Sequence, residues 1–132
     1  MEKRKTQCIG DRLCKSLREL AKLKGRHVQD QALYLVEVMA AVADKQPDFR
    51  LEPEVVERVN PNVGLKLEFS EWLDDKLFHM AGSYGLSKQQ LVRALLWMGI
   101  RFYRELAPRG KILRKEEFVE LVLEKYRPTL IN

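Results

Sequence analysis

The sequence predicts a mostly helical protein assembled from two copies of one strand–helix–helix unit. Apolar residues recur with the period of an α-helix, short alternating segments precede two of the helical stretches, and the pattern returns after 60 residues. The length of 132 residues is about that of one average domain. Its 45% hydrophobic and 33% charged residues are typical of a folded globular protein. This composition argues against a large multidomain enzyme and against a disordered chain.

A short segment before each first helix has the alternating pattern of a strand. In the second copy Leu65, Leu67 and Phe69 alternate with polar or small residues. The equivalent segment 4–9 is more polar, and Ile9 is its apolar residue on the inward face. One strand with two helices has unpaired edges and little core. We therefore expect each unit to be stable only when the other copy supplies a partner strand.

The repeat is clearest in the first helix of each unit. Asp11 and Ser70 are suitable N-caps, and Gly25 and Gly85 are suitable left-handed C-caps. The stretches between them predict amphipathic helices. Four apolar residues have the same spacing in both copies: Leu13, Leu17, Leu20 and Ala21, then Leu73, Leu77, Met80 and Ala81.

A second, more apolar helix follows in each unit. The one in the second copy, Leu91 to Tyr103, is apolar on nearly every face, which predicts burial between the two units. We also assign Trp72, Trp97 and Tyr84 to the core or to an interface. The apolar residues of the first copy's second helix are Val28, Ala32, Leu35, Val36, Met39 and Ala43.

The predicted organisation is two units joined by a linker and followed by a tail. Residues 1–45 and 62–107 form the two units, which together make one domain. Residues 46–61 contain three prolines, Pro47, Pro53 and Pro61, and are predicted to form a linker with a short helical turn over Glu54 to Val59. Residues 108–132 are a C-terminal tail whose amphipathic helix, Arg114 to Tyr126, has no counterpart in the first copy.

Charge and cysteine content limit the function classes. Residues 1–26 hold nine basic and three acidic side chains, although the net charge of the whole chain is only +5. This asymmetry favours a polyanionic partner at the N-terminal end, and a solvated basic surface is the alternative. Cys8 and Cys14 match neither a zinc pair nor a redox motif. With no membrane-length apolar run and no secretory signal, we expect a cytoplasmic protein without a membrane partner.

No pattern typical of catalysis occurs. His27 and His79 have no acid, serine or cysteine at a motif spacing, and no phosphate-binding or metalloprotease motif is present. We therefore predict a protein that is not an enzyme and that has no metal site and no cofactor.

Two segments of the second copy carry a family resemblance. Leu65 to Leu73 and Gly85 to Leu95, with the turn Gly-Leu-Ser, resemble the strand, capped helix and second-helix turn of the ribbon-helix-helix superfamily of DNA-binding proteins, which includes the Arc, MetJ and CopG repressors. Gly25 to Val28 is similar to the Arc-type turn. The tandem arrangement resembles the TraY proteins of conjugative plasmids. The implied fold is a tandem ribbon-helix-helix pseudo-dimer, a two-stranded antiparallel ribbon plus four helices, with an extra C-terminal helix.

The resemblance also implies how DNA is contacted. The paired strands enter the major groove, and outward side chains read bases. The outward face also includes Gly64, which offers no side chain, and Glu68 brings a negative charge, so the second copy is alternatively a scaffold. A plain solvated strand face is a further alternative. The predicted base-reading residues are Arg4, Thr6, Cys8, Lys66 and Glu68.

Phosphate contacts are predicted at the start of each second helix, where free N–H groups and a positive dipole end are available. Ser87 and Gln90 have capping-box spacing, so ordinary helix capping is an open alternative for Ser87. The predicted phosphate-binding residues at these helix starts are Arg26, His27, Ser87 and Lys88. Lys3 and Lys5, near the start of the first strand, are additional phosphate candidates on charge alone.

The predicted function is sequence-specific binding of double-stranded DNA by a transcriptional regulator. One alternative is an accessory DNA-binding protein of plasmid transfer or partition. The other is an antitoxin-like protein-interaction module, in which the C-terminal helix mediates self-association or binds a protein partner.

Overall fold

The computed structural model describes residues 5–8, 11–24, 27–46, 49–51, 66–107 and 113–126. These residues form two strands, β1 (Lys5–Cys8) and β2 (Lys66–Phe69), and five helices. The helices are α1 (Asp11–Lys24), α2 (Val28–Lys45), α3 (Glu71–Tyr84), α4 (Lys88–Leu106) and α5 (Lys115–Tyr126).

The fold class predicted from the sequence needs correction. The prediction took a two-stranded ribbon as the framework, placed four helices around it and left the C-terminal helix as an addition. The described structure is predominantly helical, each strand has only four residues, and α5 belongs to the core. The predicted tandem ribbon-helix-helix pseudo-dimer is therefore wrong for the fold as a whole. The described residues are better summarised as five helices with one short strand pair.

The strands β1 and β2 pair antiparallel. Leu67 and Phe69 are fully buried and Glu68 is exposed, as the two-residue period of a strand requires. Gln7 lies directly opposite Leu67, which is 60 positions later in the chain. The strand register therefore pairs equivalent positions of the two copies. The remaining partners are Lys5 with Phe69, Thr6 with Glu68 and Cys8 with Lys66.

Helices α1 and α3 bury the repeated leucines on one side and follow the predicted spacing. At the start of α3, the Ser70 hydroxyl accepts a hydrogen bond from the Leu73 amide at 3.3 Å, which confirms the predicted cap. At its end Gly85 has φ 69°, and the Leu86 amide donates to the Ala81 carbonyl at 2.9 Å. Gly85 is therefore the predicted left-handed C-cap. The matching Gly25 lies outside the described residues.

Helices α2 and α4 pack closely against each other at the centre of the molecule. A Cβ on Gly99 of α4 would lie 3.1 Å from the Leu35 Cβ of α2, so the glycine lets the two helices approach. Helix α2 also contacts β2, and α4 contacts β1. Each strand therefore packs against the second helix of the other copy, and the two units interlock.

Helix α5 is seated on α2 and α4 by an aromatic cluster. The Phe118 ring is fully buried, 5.9 Å from the Tyr34 ring and 5.1 Å from the Tyr103 ring between centroids. The Tyr34 hydroxyl donates to the Leu113 carbonyl at 2.9 Å just before α5. These contacts explain the fold correction, because part of the apolar surface attributed to contact between the two copies is covered by α5.

Individual segments depart from prediction at two places. Phe49, inside the proposed linker, is buried with its ring 6.5 Å from that of Tyr84. Trp97 and Tyr84 are half-buried, but Trp72 is 69% exposed and is not a core residue. The predicted turn over Glu54 to Val59 lies outside the described residues.

Candidate nucleic-acid interface

The outward face of the strand pair is the candidate DNA-reading surface. Residues directly opposite each other in an antiparallel pair lie on the same face of the sheet. The register therefore assigns Thr6 to the face of the exposed Glu68, and the next same-face positions are Cys8 and Lys66. Four of the five predicted base-reading positions thus share one face. The fifth, Arg4, lies outside the described residues.

The start of α2 lies beside this strand pair. The Gln29 side-chain amide donates to the Glu68 carbonyl at 3.2 Å, which joins the first turn of α2 to β2. His27, the N-cap, is exposed, and its side chain makes no capping hydrogen bond. The predicted phosphate contact His27 is therefore on the same part of the molecule as the strand face. Exposed Asp30 also lies in this first turn and offsets part of its positive potential.

The start of α4 is a complete capping box. The Ser87 hydroxyl accepts from the Gln90 amide at 3.1 Å, and the Gln90 side-chain oxygen accepts from the Ser87 amide at 2.9 Å. The capping alternative for Ser87 is confirmed, and its phosphate role stays a prediction. Helix α4 also contacts β1.

Lys88 has a partner that sequence reasoning missed. Its ammonium nitrogen lies 2.7 Å from the Asp74 carboxylate of α3, and Asp74 is buried. The signal was present in the repeat, because Asp74 stands where the first copy has the buried Cys14, and a carboxylate at a core position requires a partner. In the structure as it stands, the Lys88 ammonium is committed to this internal ion pair.

The remaining predicted phosphate contacts are distributed unevenly. Lys5 lies opposite Phe69 in the strand pair, so its position is on the other face from the predicted base-reading positions. Lys3 and Arg26 lie outside the described residues. The structure thus brings together the strand face and the start of α2, with Glu68 at their junction.

The described residues contain no group of three or more histidine, cysteine or acidic side chains that could hold a metal ion. Within the same residues, no helix has the length and apolar character needed to cross a membrane. Searches against models of protein families, curated proteins and solved structures find no match to this chain.

Proposed function

We propose that this protein binds double-stranded DNA sequence-specifically through the outward face of β1 and β2, and acts in the cytoplasm as a transcriptional regulator. The observation that carries this proposal is the joining of that face to the first turn of α2 by the hydrogen bond from Gln29 to Glu68. The base-reading surface and the phosphate-binding N-terminus of α2 then contact the same duplex.

Base reading follows from the dimensions and chemistry of the major groove. The groove is about 12 Å wide and admits a two-stranded ribbon. Lys66 donates to guanine O6 and N7, Glu68 accepts from cytosine N4, and Thr6 contacts a base acceptor or a thymine methyl group. Because Thr6 faces Glu68 and Cys8 faces Lys66, the two halves present different groups. An asymmetric DNA site is the expected target.

Affinity for DNA comes mainly from contacts with the phosphate backbone of the duplex. The His27 side chain does not cap the α2 N-terminus, and residues 1–26 hold nine basic side chains against three acidic ones. Neutralising DNA phosphates releases counterions, so the binding constant falls steeply with salt. The proposal therefore requires strong salt dependence in addition to sequence preference.

The antitoxin-like alternative, in which the apolar face of α5 enters a partner's groove, receives less support. The α5 residues Phe118, Val119 and Val122 are buried against the rest of the molecule. A helix whose apolar face is already covered is a poor recognition element for a partner groove. An accessory role in plasmid transfer would use the same DNA surface, and the identity of the selected target distinguishes it from transcriptional regulation.

Fluorescence anisotropy with a labelled random-sequence duplex tests binding, followed by selection of the sequences that bind most tightly. We expect binding at low salt that weakens as salt rises, and enrichment of a defined site. Undetectable binding at low salt refutes the proposal, and binding without any enriched sequence refutes its sequence-specific part.

A pair of lysine variants locates the surface. Lys66→Ala should relax the base preference at one position at a cost of about 1–3 kcal/mol, because it removes a base contact. Lys45→Ala makes the same charge change at the far end of α2, roughly 25 Å from its N-terminus by helical rise, and should leave the preferred site unchanged. Equal effects of the two variants contradict the assignment.

A further inference from the structure

Helix α1 presents an exposed basic row made of Lys15, Arg18 and Lys22. Spacings of three and four residues put the three side chains on one face of the helix. Within the described part of the chain, none of them has an ion pair or hydrogen bond. The neighbouring acid, Glu19, forms an ion pair with Arg104 of α4, with 3.6 Å between its carboxylate oxygen and the guanidinium nitrogen. Among the described residues, therefore, no acid is paired with the basic row.

Helix α5 presents an exposed acidic row of opposite sign, made of Glu116, Glu120 and Glu124. Four-residue spacing aligns these carboxylates on one face. Among the residues that the structure describes, Glu116 and Glu124 make no ion pair. By helical rise the acidic row spans about 12 Å and the basic row about 10 Å, so the two rows match in length as well as in charge.

Apolar surface accompanies each row. Leu23, next to the basic row, is 80% exposed, while a groove of about 410 Å³ borders the acidic row. Glu116, Glu120 and the exposed Trp72 line this groove, so it is continuous with the acidic row. Its lining also contains three cations: Lys115, which pairs with Glu37, Lys76, which pairs with Asp44, and the exposed Lys45. The apolar lining comes from α2, α3 and α5: Val38, Ala40, Ala41, Leu73 and Val119.

The basic row is not a requirement of the repeat. The equivalent positions on α3, 60 residues later, are Asp75, Phe78 and Gly82, which carry no basic group. A position that must be basic for folding would be expected to be basic in both copies. The row is therefore available for a contact outside the unit.

We propose that α1 of one copy docks on the α2–α3–α5 surface of a second copy of this chain, with Leu23 in the groove and the basic row along the acidic row. The opposite charges and similar lengths of the two rows support this occupant. The two surfaces differ, so the contact is head-to-tail and leaves one free surface of each kind on every pair. Exposed ion pairs contribute little individually and are screened by salt, so the association is weak and salt-sensitive. It requires no DNA, and its basic row contains three of the nine basic side chains of residues 1–26 that the proposed function counts toward DNA binding.

Sedimentation velocity of the full chain without DNA measures this association directly. At about 50 mM salt the weight-average sedimentation coefficient should rise with protein concentration, and at about 500 mM salt the rise should disappear because the charges are screened. Leu23→Ser should weaken the association without a charge change. A sedimentation coefficient independent of concentration at low salt overturns the proposal.

Charge reversal with rescue identifies the surfaces. Lys15→Glu with Lys22→Glu should abolish association, and so should Glu116→Lys with Glu124→Lys. Mixing these two double variants should restore association, because each then presents the row that the other needs. All four positions are exposed, so the variants should fold.

The matched control reverses two exposed acids outside the groove, Asp30→Lys with Glu68→Lys, and changes the net charge as the α5 variant does. It should associate like the wild type. If the control loses association as the α5 variant does, or if mixing fails to restore it, the assigned surfaces are wrong.

Discussion

Replacement of Phe118 by alanine tests the claim that α5 is part of the core. The ring is fully buried, lies between two tyrosine rings at 5.1 and 5.9 Å, and belongs to the main hydrophobic cluster. Truncating a buried phenylalanine costs about 3–5 kcal/mol, part of which comes from lost aromatic contacts. We expect the free energy of unfolding to fall by about 4 kcal/mol and the midpoint temperature to fall by roughly 10–15 °C.

Urea denaturation followed by circular dichroism measures this loss, with Phe78→Ala as the control. Phe78 is 63% exposed, so the same substitution there should change the free energy of unfolding by less than about 0.5 kcal/mol. A loss below about 1 kcal/mol for Phe118→Ala, or equal losses for both variants, would refute the assignment of α5 to the core.

Three further predictions concern the second copy. Gly85→Ala should lower the free energy of unfolding by about 1 kcal/mol, because a φ of 69° is strained for a residue with a side chain. Gly82 lies in a helix with open space around it, so Gly82→Ala should raise the free energy of unfolding by about 0.5–1 kcal/mol. Urea denaturation that shows changes of the same sign for both variants would contradict this prediction. Asp74→Ala should lower the free energy of unfolding by about 2–3 kcal/mol. This is less than the loss on breaking a fully buried ion pair, because the Lys88 side chain is still 20% exposed. A loss below about 0.5 kcal/mol would mean that the pair does not stabilise the fold. Burial, followed by the Asp44 charge, raises the pKa of Tyr84 above 10.0. The neutral phenol is therefore favoured in the folded protein, and stability present below the ordinary tyrosine pKa should decline as the pH rises above it; alkaline denaturation unaffected by Tyr84→Phe would contradict this.

Local patterns predicted the elements whose periodicity is strong. The repeated leucines located α1 and α3, and the Ser70 and Gly85 caps fall where the sequence indicated. The alternation around Leu67 identified β2, with Leu67 buried and Glu68 exposed. In each case one residue type at one spacing sets the local backbone, so a single sequence carries the information.

Long-range partners were not predictable in the same way. An apolar α4 predicts burial but does not say whether the first copy or α5 covers it, and this ambiguity produced the error in fold class. Phe49 stands in a proline-rich segment whose composition indicates a linker, yet its ring packs in the core. The Lys88 to Asp74 pair joins residues of two helices, so no single helical pattern reveals it. For the candidate site, the outward positions followed from strand alternation, but the bond from Gln29 to Glu68 joins different copies and became visible only in the fold.

Chemical protection of the bound duplex tests the proposed function most directly. Guanine N7 lies in the major groove, so methylation by dimethyl sulfate reports whether that groove is occupied. At saturating protein on the selected duplex, we predict protection of guanine N7 within the site, and loss of protection at one or more of these guanines with Lys66→Ala. Saturated binding with unchanged N7 reactivity throughout the site would contradict insertion of β1 and β2 into the major groove.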